Sequence, residues 1–212
     1  MTKVKLCGMM SPEDIEAANL LQTDYVGFVF ARQSPRCITE AQAGYFRSIL
    51  SPEICAVGVF VDEKPERVAF LLERGIIDLA QLHGTEDEEY MACLRRLTGR
   101  PLIRAFRIHS PEDLKAAAAS TADHVLLDSG AGSGSVFDWS LLHAFPRPYF
   151  LAGGLSPDNV ADAVRTLHPY AVDVSSGIET DRKKDHEKMR QFIRQVNAAA
   201  RFRASQEQTE RN

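Results

Sequence analysis

A single beat runs through this chain and limits what it can fold into. Short apolar, β-branched runs begin about every 24 residues, and each is expected to be followed by a helix-start signal. There are eight: Val4-Lys-Leu-Cys-Gly, Tyr25-Val-Gly-Phe-Val-Phe, Cys55-Ala-Val-Gly-Val-Phe-Val, Leu79-Ala-Gln-Leu-His-Gly, Pro101-Leu-Ile-Arg-Ala-Phe-Arg-Ile, His124-Val-Leu-Leu-Asp, Tyr149-Phe-Leu-Ala-Gly-Gly and Ala171-Val-Asp-Val-Ser-Ser-Gly. Most are near-continuously apolar, the pattern of strands buried on both faces of a parallel sheet. Ser11-Pro-Glu-Asp, Ser110-Pro-Glu-Asp and Ser156-Pro-Asp-Asn each place an N-cap before a proline at the first helical position. Thr39-Glu-Ala-Gln and Thr85-Glu-Asp-Glu have capping-box spacing.

A repeated strand–helix unit demands a parallel sheet with its helices outside. Eight units predict a closed (β/α)8 TIM barrel, an α/β fold for which ~200 residues is the compact end of the range. The alternative is an open doubly wound sheet, which usually carries a Gly-rich turn after its first strand. Here that turn reads Cys7-Gly-Met-Met and holds no GxGxxG. The expected organisation is one barrel domain over residues 1–200. Residues 201–212, Arg201 to Asn212, lack periodicity and read as a disordered C-terminal tail.

Composition removes several classes of function. Apolar residues make up 44% and charged residues 25% of the chain, the balance of a soluble globular protein. The net charge of −4 counts against nucleic-acid binding. No run approaches the ~18 apolar residues of a membrane span, and the N-terminus lacks the apolar stretch of a signal peptide. The four cysteines form no CxxC pair, and the six histidines form no HxH or HExxH. The expectation is a cytoplasmic protein without metal or cofactor.

In such a barrel, chemistry sits at the C-terminal ends of the strands. Those ends offer Cys7, Arg36 in the loop after the second strand, His83, Asp128, the Gly153-Gly154 turn and the Ser175-Ser176-Gly177 turn. The two turns follow the seventh and eighth strands, where this fold commonly binds phosphate. Glycine lets backbone N–H groups approach an anion. Either turn alone is equally well a tight turn.

Cys7 has two readings, a small buried hydrophobe or a reactive thiol. Residues i and i+2 of a strand share a face, so Lys5 lies one layer below it and would lower its pKa from ~8.5. Strand 8 closes against strand 1, where Asp173 is placed to form a buried ion pair with Lys5. Asp128, ending an apolar strand, is either solvated or a partly buried general acid. His83 reads as a hydrogen-bonded loop histidine or a site group. Arg36 has a planar fork suited to a carboxylate. The residues alone thus give a barrel enzyme for a small phosphorylated substrate, with acid–base chemistry between Cys7 and Asp128.

Taken in order, these segments resemble the phosphoribosylanthranilate isomerase family of tryptophan biosynthesis. The segments that carry the resemblance are Val4-Lys-Leu-Cys-Gly, Gly27-Phe-Val-Phe, Ser34-Pro-Arg, Val57-Gly-Val-Phe-Val, Gln81-Leu-His-Gly, Leu126-Leu-Asp-Ser, Phe137-Asp-Trp-Ser-Leu, Ala152-Gly-Gly-Leu, Val172-Asp-Val-Ser-Ser-Gly-Ile-Glu and Lys184-Asp. The resemblance covers nearly the whole chain, from about residue 3 to 198. The resemblance implies an Amadori rearrangement of N-(5′-phosphoribosyl)anthranilate, with Asp128 as general acid and Cys7 as general base. It also implies that Arg36 holds the substrate carboxylate and that His83 lines the site. Gly153, Gly154, Ser175, Ser176 and Gly177 would hold the phosphate.

Two segments depart from the family pattern. Ser135 stands where the family has a lysine, in a shortened loop after Asp128, and Met9-Met10 replaces the usual Ile-Thr. The alternatives are a related phosphate-binding sugar isomerase of histidine biosynthesis, or a barrel that binds a phosphorylated ligand without catalysis. The first would carry an aspartate where Cys7 stands. The expected partner is the small phosphorylated substrate alone, with no nucleic acid or membrane, on a monomer or weak homodimer.

Overall fold

The computed structural model describes residues 1–129 and 139–209. Eight parallel strands close into a barrel in chain order: β1 (Lys3–Cys7), β2 (Tyr25–Val29), β3 (Cys55–Phe60), β4 (Leu79–Leu82), β5 (Leu102–Arg107), β6 (His124–Asp128), β7 (Tyr149–Ala152) and β8 (Ala171–Val174). The helices are α1 (Pro12–Leu21), α2 (Glu40–Ile49), α3 (Pro65–Glu73), α4 (Glu88–Leu97), α5 (Pro111–Ala119), α6 (Val160–Leu167) and α7 (His186–Thr209). The fold expected from the repeat is therefore the fold observed.

The capping signals explain where most helices begin. Ser11, Thr39 and Ser110 each accept from the third backbone N–H of their helix, while Asp14, Gln42 and Asp113 reach back to complete the box. Two signals act otherwise. Thr85 bonds Asp62 across the neighbouring loop, and Asp87 caps α4 instead. Ser156 opens a turn in which its N–H donates to Asn159, so that α6 starts only at Val160.

Among the described residues, the β6–β7 connection holds one 3-10 turn, Trp139–Leu142, in place of an α-helix. Pro146 and Pro148 follow it closely, and proline can neither continue a helix nor donate to one. At the other end of the chain, α7 runs on to Thr209, past the Arg201 boundary where a tail was expected. The added residues include good helix formers, and extending an existing helix avoids the cost of nucleation.

The strand interior is layered. Outward-facing side chains such as Leu6, Phe28, Ala80 and Leu127 pack under the helices. Inward-facing Tyr25, Leu79, Leu126 and Phe150 fill the N-terminal end. There Tyr170 stacks on His124 and meets Phe150 edge-on, and its hydroxyl lies 3.0 Å from that of Tyr25. Above this plug comes a polar layer of Lys5, Gln81 and Asp173, all buried. Cys7, Val29 and Val59 form the next layer, at the mouth. The barrel interior is thus sealed by side chains below and polar above, toward the C-terminal strand ends.

Candidate active site

At that end a cavity of about 1130 Å³ opens between the strand termini. Cys7, Arg36, His83, Asp128, Gly153, Gly154, Ser175 and Ser176 all line it. Gly177 does not. A Cβ there would run into the Leu155 carbonyl oxygen, so the turn packs closely at this point.

The Lys5–Asp173 pair expected across the closing seam is present. The two residues are level in the β1–β8 register, and Nζ meets Oδ1 at 3.0 Å with Lys5 fully buried. Burial alone would lower the Lys5 pKa, but attraction to Asp173 and Cys7 outweighs it and holds the ammonium charged.

Cys7 differs from the sequence expectation. Burial pushes its thiol pKa up, and Asp173 adds to the rise; Lys5 and Lys184 pull the other way without cancelling it. Desolvation of a thiolate exceeds what the nearby cations return. Alkylation of Cys7 by iodoacetamide, followed peptide by peptide in the mass spectrometer, is therefore expected to show a pH midpoint above about 8.5. A midpoint below that value would mean that the cations win.

Arg36 is held by a hairpin that the repeat did not announce. β9 (Glu179–Thr180) and β10 (Lys183–Lys184) pair antiparallel, turning through Asp181 and Arg182 at φ 52° and 64°. On this hairpin Glu179 accepts from Arg36 Nε at 2.6 Å and Nη2 at 2.7 Å. Lys184 donates to the same carboxylate at 2.6 Å and to the Ser175 carbonyl at 3.0 Å. Burial would raise the Glu179 pKa, but the bonds from Arg36 and Lys184 reverse this and keep it ionised. The fork read from sequence is thus half occupied from within. Its remaining Nη1 edge is the part left for a ligand.

Asp128 ends β6 beside His83, with Nε2 and Oδ2 3.5 Å apart and both side chains partly exposed. His83 Nδ1 in turn lies 2.9 Å from Gln81 Nε2. Gly153, at φ 92°, lets the chain leaving β7 pass close to Asp128: a Cβ there would lie 2.5 Å from Asp128 Oδ1. Ser129 secures this approach by donating to the Gly153 carbonyl at 3.0 Å.

Glu179, Lys184 and Gln81 were not singled out as site residues. Glu179 and Lys184 lie in segments that carry the family resemblance, but the turn joining them contains no glycine to betray a hairpin. Gln81 sits inside Gln81-Leu-His-Gly, two residues below a candidate. Ser135 and the loop around it lie outside the described residues. Among the described residues, no group of three or more His, Cys, Asp or Glu is placed to hold a metal ion. No described helix is long and apolar enough to cross a membrane.

A closed parallel barrel with its polar cavity at the C-terminal strand ends has the layout of the (β/α)8-barrel enzymes. The family profile for N-(5'phosphoribosyl)anthranilate (PRA) isomerase matches residues 4–195. The N-(5'-phosphoribosyl)anthranilate isomerase of Endomicrobium trichonymphae is 44% identical, over 92% of this chain and 98% of its own. The crystal structure of the Thermotoga maritima phosphoribosyl anthranilate isomerase superposes with a TM-score of 0.86 at 35% identity, covering 93% of this chain and all of that one. A phosphoribosyl anthranilate isomerase in complex with reduced 1-(o-carboxyphenylamino)-1-deoxyribulose 5-phosphate gives a TM-score of 0.84 at 34% identity, with the same coverage. The chain belongs to the N-(5'-phosphoribosyl)anthranilate isomerase family and is an isomerase.

Proposed function

We propose that this isomerase converts N-(5′-phosphoribosyl)anthranilate to 1-(2-carboxyphenylamino)-1-deoxyribulose 5-phosphate, with Asp128 as the acid and Cys7 as the base. The observation that carries the reading is that a carboxyl group, a thiol, a guanidinium edge and two small-residue turns all face one cavity. Asp128 protonates the furanose ring oxygen, the C1′–O bond breaks, and an iminium forms at C1′. The Cys7 thiolate then takes the C2′ proton to give an enolamine. Protonation at C1′ and loss of the enol proton leave the ketone, so the rearrangement consumes no redox equivalent.

The raised thiol pKa fits this order of events. Before ring opening the buried site favours the neutral thiol; the iminium then brings a positive charge beside it, and the thiol gives its proton to solvent in the open cavity to leave the thiolate. Gly153, Gly154, Ser175 and Ser176 hold the phosphate, and Gly177 shapes the turn that carries the last two. Arg36 Nη1 takes the anthranilate carboxylate, with Glu179 aiming the fork. Arg36→Ala is expected to raise KM about 10- to 100-fold with a smaller change in kcat. Arg36→Lys should not restore it, because a point charge lacks the planar fork. A fall in kcat at unchanged KM would remove Arg36 from substrate binding.

Wild-type protein incubated with phosphoribosylanthranilate generated in situ should yield the deoxyribulose product, identified by mass spectrometry and its altered fluorescence. Folded protein that leaves this substrate unchanged, or that turns over only the aminoimidazole ribotide of histidine synthesis, would overturn the assignment.

A further inference from the structure

Among the described residues, one buried side-chain polar atom has no hydrogen-bond partner, and that atom is Gln81 Oε1. Gln81 is 1% exposed, yet it lines the cavity. An unpaired buried carbonyl oxygen has given up its water without gaining a partner, so such a group calls for a reason. Its other end is committed. Nε2 lies 2.9 Å from His83 Nδ1, and His83 Nε2 lies 3.5 Å from Asp128 Oδ2.

We infer that Gln81 does two things at this site: its Oε1 accepts a hydrogen bond from a sugar hydroxyl of the substrate, and its Nε2 sets the tautomer of His83. The inference rests on the reading of the function given above. The chemistry of the ligand selects the hydroxyl. Oε1 is only an acceptor, so it cannot bind a carboxylate or phosphate, which carry no proton to share at neutral pH. A hydroxyl supplies one. The position agrees: Gln81 reaches Asp128 through His83, which places it beside the sugar ring on which the acid acts, whereas the aromatic ring is drawn toward Arg36.

The second role follows from the same geometry. With the Gln81 amide donating to Nδ1, neutral His83 carries its proton on Nε2, the nitrogen that faces Asp128. Gln81 is therefore a substrate-binding residue through its oxygen and a positioning residue through its nitrogen. The amide is fixed by His83, so its oxygen meets the substrate already oriented.

The test compares wild type, Gln81→Met and Gln81→Glu. Methionine keeps the volume but removes both the acceptor and the donor; glutamate keeps an acceptor and replaces the donor by a charge. Three quantities are read: thermal stability, affinity for the reduced product analogue by calorimetry, and the pH profile of kcat/KM. Gln81→Met is expected to fold with a thermal midpoint near that of wild type, to bind the analogue about 10- to 100-fold more weakly, and to lose kcat. Gln81→Glu should recover much of the binding while shifting the pH profile, because it places a titratable carboxylate beside the ring in place of the amide. Gln81→Met binding the analogue and turning over within about threefold of wild type would overturn the inference alone. Wild type that neither binds the analogue nor turns over substrate would instead overturn the function on which it rests.

Discussion

Asp128→Asn is expected to lower kcat by about 10²- to 10⁴-fold while leaving the barrel folded. Asparagine has nearly the same shape, so the close approach of Gly153 and the bond from Ser129 to its carbonyl survive the change. What disappears is a group able to give a proton to the ring oxygen and take one back. Ring opening then requires an unassisted departure of an alkoxide from C1′. Because the lost interaction belongs to the transition state, kcat and kcat/KM should fall together and KM should change little. Cys7→Ala removes the proposed base instead and should cost a comparable factor. The double variant should be little worse than the worse single one, since residues that act as a unit are not additive. A folded Asp128→Asn variant that keeps a tenth or more of wild-type kcat would exclude the acid role.

The second large effect is on stability. Lys5→Ala leaves the Asp173 carboxylate in the barrel without the ammonium that meets it at 3.0 Å. Breaking a buried ion pair from one side costs about 3–5 kcal/mol. In a domain of this size that amounts to a fall in Tm of roughly 6–20 °C. Replacing both partners, as in Lys5→Met with Asp173→Leu, should recover most of the loss, because the charges then leave together. The pair also touches the chemistry. Lys5 is one of the cations that restrain the rise of the Cys7 pKa, so its loss should move the alkylation midpoint of that thiol further up. Lys5→Ala with a Tm within about 2 °C of wild type would show that the seam does not depend on this pair.

The strand–helix beat made the barrel legible, because eight buried strands with helices between them leave few ways to close a sheet. The same beat located Cys7, His83 and Asp128, since a strand's last inward residue faces the mouth. Period-two alternation with strand 8 closing on strand 1 also makes the Lys5–Asp173 contact readable from the chain. Other features depended on tertiary context. The thiol pKa turned on how completely the Cys7 environment excludes water, which alternation does not measure. Glu179 and Lys184 were obscured by a turn whose left-handed residues are Asp181 and Arg182 instead of glycine. The 3-10 turn at Trp139–Leu142 and the onset of α6 at Val160 followed from local competition between proline, turn and helix, which the repeat does not resolve.

The most direct test follows the fluorescence of phosphoribosylanthranilate, generated in situ at neutral pH, with three proteins side by side. Wild type is predicted to remove the signal rapidly, while folded Cys7→Ala and Asp128→Asn do so at no more than about 1% of that rate. Near-normal loss of signal with either variant would contradict the assignment of acid and base. A wild type that leaves the signal unchanged would contradict the reaction itself.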